Sequence, residues 1–199
     1  MFLVISGALG GCAVSKGASQ GDRYDLGPVV PAQQAPSPPG VPVWLAGVHA
    51  PSSLDGTHML YRLVYSDALQ SRAYAQARWS MPVPELLEQR LRQRLASQHP
   101  VLNPADGVQG RGPGLVLRIE LEDFSQTFSA ADQASVRVRL RATLSAWRGG
   151  TEQLLDQQTF ESQRPCASAD APGGVRALAQ ASDTVLEALE RWLAANAAR

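Results

Sequence analysis

The stretch from Met59 to Leu95 constrains the fold most, because its side-chain pattern changes from a period of two to a period of four. Tyr61, Leu63 and Tyr65 share one face of an extended segment. Alternate residues of a second segment, 72–79, also share one face. The polar stretch between the two extended segments is long enough for a loose turn. The sequence therefore predicts a β-hairpin.

A helix is predicted directly after this hairpin. Pro82 and Pro84 suit a first helical turn, where a missing N–H costs nothing, and Ser80 is a candidate N-cap. Charged residues, Arg90 among them, are assigned to the solvated side. The apolar side chains recur every four residues at Val83, Leu87, Leu91 and Leu95. Two strands that feed a helix lying across them are the start of an α+β layer.

Three more strands and a second helix are predicted in the remaining chain. Alternation indicates strands over 115–122 and 136–146, with a less regular one over 154–160. An apolar stripe indicates a last helix from about Gly174 to Ala198. The expected fold class is α+β, with a largely antiparallel sheet and two helices packed on one face.

The N-terminus has the pattern of a secretory signal peptide, an apolar run over 1–11 that ends in small residues. The next residue completes the tetrapeptide Leu-Gly-Gly-Cys, which resembles the bacterial lipobox, where the cysteine thiol takes a diacylglycerol. We therefore predict lipid attachment at Cys12, since two or more acyl chains give a lasting membrane anchor. The alternative is a buried strand with an incidental cysteine. No Lys or Arg precedes the apolar run, which departs from the signal-peptide pattern.

Composition divides the rest of the chain. Residues 12–22 are predicted to be a lipidated tether and residues 23–199 a single domain, inside which the Pro-rich stretch 28–42 is a connector. No apolar run reaches the roughly 18–20 residues of a spanning helix. In lipoproteins of Gram-negative bacteria an aspartate after the acylated cysteine typically retains the protein in the inner membrane. Ala13 stands there instead, which implies the outer membrane.

Charge gives little indication of a polyelectrolyte partner, because the formal net charge is zero. A basic stripe interleaved with aromatics, typical of nucleic-acid binding, is absent from the sequence. The row Arg137, Arg139 and Arg141 has two interpretations. It could bind lipid phosphates, or it could pair across strands with Glu120 and Glu122, which is the favoured interpretation.

The sequence offers no catalytic constellation. Glu120 and Glu122 fall on an exposed strand face with no histidine or nucleophile around them, and the second cysteine, Cys166, lies in a loop with no partner once Cys12 is acylated. Nucleophile elbows, clustered metal ligands and phosphate-cradling loops are absent. We therefore predict a protein that is not an enzyme and needs no cofactor or metal, with Cys166 as an idle thiol.

An ordered set of short motifs resembles the ABC-type transport auxiliary lipoproteins, the paraquat-inducible C-type family. The resemblance implies a periplasm-facing outer-membrane lipoprotein that works with an inner-membrane ABC permease and ATPase and a mammalian-cell-entry type shuttle. Such systems move lipids between the two membranes, and homo-oligomers are compatible with this role. After the lipobox, the matching residues are Tyr24–Pro28, Ala50-Pro51, Leu54-Asp55, Met59–Arg62, Tyr74-Ala75, Arg78-Trp79, Glu85–Leu87, Leu117–Gln126 and Trp192-Leu193.

Two other function classes remain open from the residues. One is a structural envelope or lipopolysaccharide-assembly lipoprotein that works without a transporter. The other is a periplasmic hydrolase, which the missing motifs disfavour. Capture of a shuttle-type partner separates the first class from the transport-associated interpretation.

Overall fold

A computed structural model describes residues 21–28, 40–103 and 114–197, and within these ranges the chain forms eight strands and two helices. The elements are β1 (Asp22–Tyr24), β2 (Val43–His49), β3 (His58–Leu63), β4 (Arg72–Trp79), α1 (Val83–Leu95), β5 (Val101–Leu102), β6 (Leu115–Ala130), β7 (Gln133–Arg148), β8 (Thr151–Pro165) and α2 (Ala171–Ala197).

All eight strands belong to one sheet built around the long strand β6. On one edge β6 pairs with β7, which pairs with β8, and both pairings are antiparallel. On its other edge β6 pairs with β2 along its first half and with β3 near its end, both in parallel. β4 and β1 extend the sheet outward from β3, and β5 extends it from β2.

The predicted largely antiparallel sheet is wrong. Of the seven strand pairings in the described ranges, four are parallel, namely β1–β4, β2–β5, β2–β6 and β3–β6. β4 and α1 lie between β3 and β6 along the chain, and this long connection lets β6 enter beside β2 and β3 and run in their direction. Alternation identifies a strand but not its partner, and parallel neighbours require a long crossover connection.

β6 continues beyond residue 122, where the predicted strand ended. The prediction stopped there because a β-bulge interrupts the alternation of apolar and polar side chains. The bulge lies at Glu122, between Leu121 and Asp123. The extra residue moves the inward-facing positions from odd to even numbers. Beyond it the buried side chains are Phe124, Gln126 and Phe128. Most of the stretch between the two predicted strands, 123–135, is therefore itself strand, and a short turn joins β6 to β7.

The predicted hairpin forms between β3 and β4, but its first strand ends at Leu63. Tyr65 lies in the turn with 52% of its surface exposed, so its assignment to a strand face is wrong. Ser80 does not cap α1 either. The N-cap position is Pro82, with no capping bond from its side chain.

The two helices lie on the same face of the sheet, with one apolar core between helices and strands. The predicted stripe of α2 is confirmed, and Trp192 within it packs edge to face on Phe160 with ring centroids 5.8 Å apart. The buried members of the stripe are Val175, Leu178, Ser182, Val185, Leu186, Leu189, Trp192 and Leu193. Within the described ranges, neither helix has the length and apolarity needed to cross a membrane.

Candidate functional site

The predicted lipid-attachment residue, Cys12, lies outside the described residues, so its acylation stays a prediction. The structure does describe the segment where the predicted tether meets the domain. It also describes three polar sites, namely a buried arginine between the helices, a buried glutamine at the start of α2, and the sheet face that the helices leave uncovered.

Arg90 on α1 fastens both helices and the N-terminal segment together. Its Nε and Nη2 each donate to a carboxylate oxygen of Asp183 on α2, at 2.7 Å in both cases. Its Nη1 donates to the backbone carbonyls of Leu26 and Gly27, at 2.9 and 3.0 Å. These bonds satisfy a guanidinium on a residue that is only 5% exposed. We call Arg90, Asp183 and the two carbonyls the clasp.

Arg94, one helical turn further on, extends this ion pairing along α2. It donates to Glu190 and lies 3.4 Å from Asp183. Burial lowers the pKa of Arg94, but the hydrogen bond to Glu190 and the charges of Glu190, Asp183 and Glu187 together outweigh it, so the pKa lies above its ordinary value. The clasp therefore continues into a second, largely buried ion pair between the helices.

The assignment of Arg90 to the solvated side of α1 is wrong, and the sequence contains the signal that corrects it. Arg90 follows Leu86 by four residues and Leu87 by three, so it falls on the apolar stripe of the helix. A charged residue at such a position is buried only when it is paired. Its partners could not be found from the sequence, because Asp183 is 93 residues away.

Gln126 on β6 is the centre of a second buried site, which we call the Gln126 cluster. Its Oε1 accepts from the Tyr74 hydroxyl at 3.0 Å, and its Nε2 donates to the Asp170 carbonyl at 3.1 Å. Gln126 is 1% exposed. Burial raises the pKa of Tyr74, which keeps the phenol protonated as a donor. The cluster joins β4, β6 and the start of α2.

Asp170 precedes α2 and caps it. Its Oδ1 accepts from the Ser168 hydroxyl and from the Gly173 N–H, both at 2.7 Å. These bonds, the Ser168 bond first and the Gly173 bond second, lower the pKa of the Asp170 carboxyl. An N-cap carboxylate satisfies an N–H that the helix cannot, and typically contributes about 1 kcal/mol.

We expect Asp170→Ala to lower the free energy of unfolding at neutral pH by about 1 kcal/mol. Because the folded pKa is depressed, this stabilisation is present above the unfolded value near pH 4 and is lost as pH falls through the folded pKa. Urea titrations of wild type and variant should therefore converge in acid. Asp170→Asn keeps a capping oxygen without a titrating proton, so it should match wild type at neutral pH and exceed it in acid. A gap between wild type and Asp170→Ala that did not change with pH would contradict the assignment.

Cys166 is half-buried beside the Gln126 cluster, with its Sγ 3.6 Å from Gln126 Nε2. Burial raises the pKa of the thiol, which favours the protonated and weakly nucleophilic form. Among the histidines, His99 is held by the Val41 carbonyl at 3.0 Å, and His49 and His58 lie at the ends of other strands. That Cys166 is an idle thiol stays a prediction.

The sheet face opposite the helices carries the predicted charge pairs, and we call it the charged face. Arg141 Nη2 lies 2.6 Å from Glu120, and Arg139 Nε lies 2.7 Å from Glu122. The predicted cross-strand pairing is thus confirmed. Glu161 on β8 adds a third carboxylate, 3.1 Å from Arg139. The row is already neutralised within the protein, which weakens the lipid-phosphate interpretation.

A cleft of about 430 Å³ opens on the charged face, where the loop after β2 overhangs β3, β6 and β7. Both charge signs line it, with Arg62 and Arg137 set against Glu122 and Asp123. Such a lining suits a polar peptide segment better than an acyl chain. No sequence pattern indicated the cleft, because only the tertiary structure brings the loop after β2 over these strands.

Ion pairs account for most of the charged groups at these polar sites. Across the described ranges, no group of three or more His, Cys, Asp or Glu side chains could hold a metal ion. Most carboxylates of the clasp and the charged face are paired with arginines. The described domain thus has an attachment point for its N-terminal segment and a polar sheet face that the helices leave uncovered.

Comparison with protein families gives one match over most of the chain. The model of the family described as "ABC-type transport auxiliary lipoprotein component" matches residues 24–190. Among curated protein sequences, none matches.

Solved structures share the fold at low sequence identity. A DUF330 protein from Xanthomonas campestris is similar with a TM-score of 0.71 and 18% identity, covering 88% of this chain and 96% of its own. A hypothetical protein from Chlamydia trachomatis is similar with a TM-score of 0.56 and 10% identity, covering 80% of this chain and 98% of its own. These likenesses establish the fold alone.

Proposed function

The chain belongs to the family of ABC-type transport auxiliary lipoprotein components, and from this premise we propose that it is an outer-membrane lipoprotein that docks the periplasmic end of a lipid-transport system. The transporter would be of the mammalian-cell-entry type, with a shuttle protein between an inner-membrane permease and this chain. The observation that carries the proposal is the family match over residues 24–190, which begins at the last residue of β1 and covers α1 and most of α2.

In this proposal acylated Cys12 holds the domain at the membrane, and the clasp transmits that attachment to the core. Arg90 holds the carbonyls of Leu26 and Gly27 only a few residues after the tether ends. A force on the tether is therefore resisted by two helices rather than by the three-residue strand β1 alone. An anchored receiver for a moving partner needs such an attachment.

The charged face is our proposed contact surface for the shuttle. The helices cover the other face, whereas this one presents paired Arg and Glu side chains and the 430 Å³ cleft. Charge pairs at a rim give specificity and faster association rather than large affinity. We propose that the chain catalyses no reaction, because its charged groups are arranged to recognise and to hold.

The test compares the tagged wild-type chain with Cys12→Ser in a Gram-negative host that carries such a transporter. We expect wild type to lose residues 1–11, to carry diacylglycerol on Cys12 by mass spectrometry, and to sediment with the outer membrane. We expect it to retain a shuttle-type protein after crosslinking. Cys12→Ser should keep its leader and lose the outer-membrane location, since the acyl chains supply the anchoring free energy.

Each result addresses a different part of the proposal. A bare Cys12 with an uncut leader in wild type would refute the lipoprotein assignment for this chain. Acylation without capture of any shuttle-type protein, even at high expression, would instead favour a structural envelope lipoprotein. Sedimentation with the inner membrane would refute the proposed location.

A further inference from the structure

The turn of the β3–β4 hairpin exposes apolar side chains at one end of the sheet. We call residues 64–71 the hairpin tip. Leu69 is 91% exposed, Tyr65 52% and Val64 40%, although the rest of the hairpin packs into the sheet. Exposed Leu and Tyr grouped on one protruding loop are typical of an interaction site.

The tip is held in shape by its own hydrogen bonds, so this exposure is part of the fold. The N–H groups of Ser66 and Asp67 donate to the Leu63 carbonyl at 2.9 and 2.8 Å. The Asp67 carboxylate accepts from the Leu69 N–H at 2.9 Å. These turns present Leu69 outward from an ordered backbone, as an inserting loop requires.

Two arginines flank the apolar side chains. Arg62 Nη1 donates to the Leu69 carbonyl at 3.1 Å, and Arg72 donates twice to the Gln70 side chain. Both guanidinium groups are thereby held at the tip. Leu and Tyr inserted beside cationic side chains match the boundary between lipid headgroups and acyl chains, where aromatic rings and arginines are enriched.

The path of the N-terminal segment places the predicted anchor on the same side. β1 is parallel to β4, and Asp22 pairs with Ala77. Since β4 runs away from the tip, β1 does too, so the N-terminal end of β1 is the end that faces the tip. Gly21 is packed against Gln76, which lies six residues after Gln70, or about 20 Å along a strand. Cys12 is nine residues before Gly21, a span of at most about 30 Å.

We propose that the hairpin tip contacts the lipid bilayer that holds the Cys12 acyl chains, with Leu69 and Tyr65 inserted at the headgroup level. The proposal rests on the proposed acylation of Cys12. It fixes the orientation of the domain, because the end of the sheet where β2 and β6 begin then faces away from the membrane and toward the periplasm.

The experiment places an environment-sensitive NBD dye at the tip of the full-length lipidated protein. Leu69→Cys is labelled in a Cys166→Ser background, after mass spectrometry has verified the acylated Cys12. The protein is reconstituted into vesicles of phosphatidylethanolamine and phosphatidylglycerol. Leu154→Cys in the same background is the matched control. Leu154 is 67% exposed but pairs with Ser145, opposite Val116 at the far end of β6.

We expect NBD at position 69 to shift to the blue, to gain severalfold in intensity, and to be quenched by nitroxide-labelled lipids, while NBD at position 154 stays in water. Equal, water-like emission from both positions on acylated protein would overturn the proposal. A shift at position 69 only after envelope proteins are added would also overturn it, in favour of a protein partner. Unacylated Cys12 would be seen before labelling, and would refute the proposed function instead.

Discussion

Replacing Arg90 by alanine is expected to lower the free energy of unfolding by about 3 kcal/mol. The change leaves Asp183 without its bidentate partner and the Leu26 and Gly27 carbonyls without a donor. Removing one member of a buried ion pair costs about 3–5 kcal/mol, and we place the loss at the lower end because Asp183 is 32% exposed. Urea denaturation followed by tryptophan fluorescence measures the change.

A second readout distinguishes the clasp from a general loss of packing. Hydrogen exchange at residues 22–28 should accelerate in Arg90→Ala under conditions where the sheet amides stay protected, because the segment loses its two carbonyl contacts. Arg92→Ala is the matched control on the same helix. Arg92 pairs with Glu88 at 2.8 Å, but both side chains are 31% exposed, so we expect a loss of about 0.5 kcal/mol or less. Equal losses for the two variants would contradict the clasp.

Local sequence patterns predicted the elements of this fold better than they predicted how the strands pair. Local periodicity identified α1, α2, the β3–β4 hairpin and the strand nature of β6, β7 and β8, because each pattern is set by neighbours along the chain. It did not identify the parallel partners of β6. The side-chain pattern of a strand shows which face is buried, but not which strand will pair with each edge. The bulge at Glu122 also concealed the second half of β6 by reversing the alternation.

For the polar sites too, contacts between neighbouring strands could be predicted from the sequence, whereas contacts between distant segments could not. The pairing of Arg139 and Arg141 with glutamates was predictable because a short turn places β6 and β7 side by side in antiparallel register. The clasp and the Gln126 cluster join residues that lie between 44 and 93 positions apart. Buried polar residues reveal that partners must exist, but only the tertiary fold determines which they are.

A large local effect on packing is expected for Gly174→Ala at the start of α2. A Cβ built there lies 2.3 Å from Gln126 Oε1 and 2.7 Å from its Cδ. Either the helix must shift or the buried glutamine must leave its bonds to Tyr74 and to the Asp170 carbonyl. Overpacking costs about 1–3 kcal/mol and an unsatisfied buried polar group about 1–3 kcal/mol. We expect a loss of about 3 kcal/mol in urea denaturation.

A double-mutant cycle isolates this contact. Gln126→Ala alone should be destabilising, because the Tyr74 hydroxyl and the Asp170 carbonyl lose their partner. In that background the obstructing side chain is gone, so adding Gly174→Ala should cost little. In that background we expect Gly174→Ala to leave the free energy of unfolding unchanged or to raise it slightly, since alanine favours a helix over glycine by up to about 1 kcal/mol. The coupling energy between the two positions should therefore be about 2 kcal/mol or more.

Gly56→Ala serves as the control for glycine replacement in general. A Cβ at Gly56 meets its nearest atom, His58 Nδ1, at an ordinary 3.7 Å. We expect that variant to stay within about 0.5 kcal/mol of wild type. If Gly174→Ala cost the same with and without the glutamine side chain, the clash would not lie with Gln126. The loss would then come from the helix backbone, and the Gln126 cluster would not be what positions the start of α2.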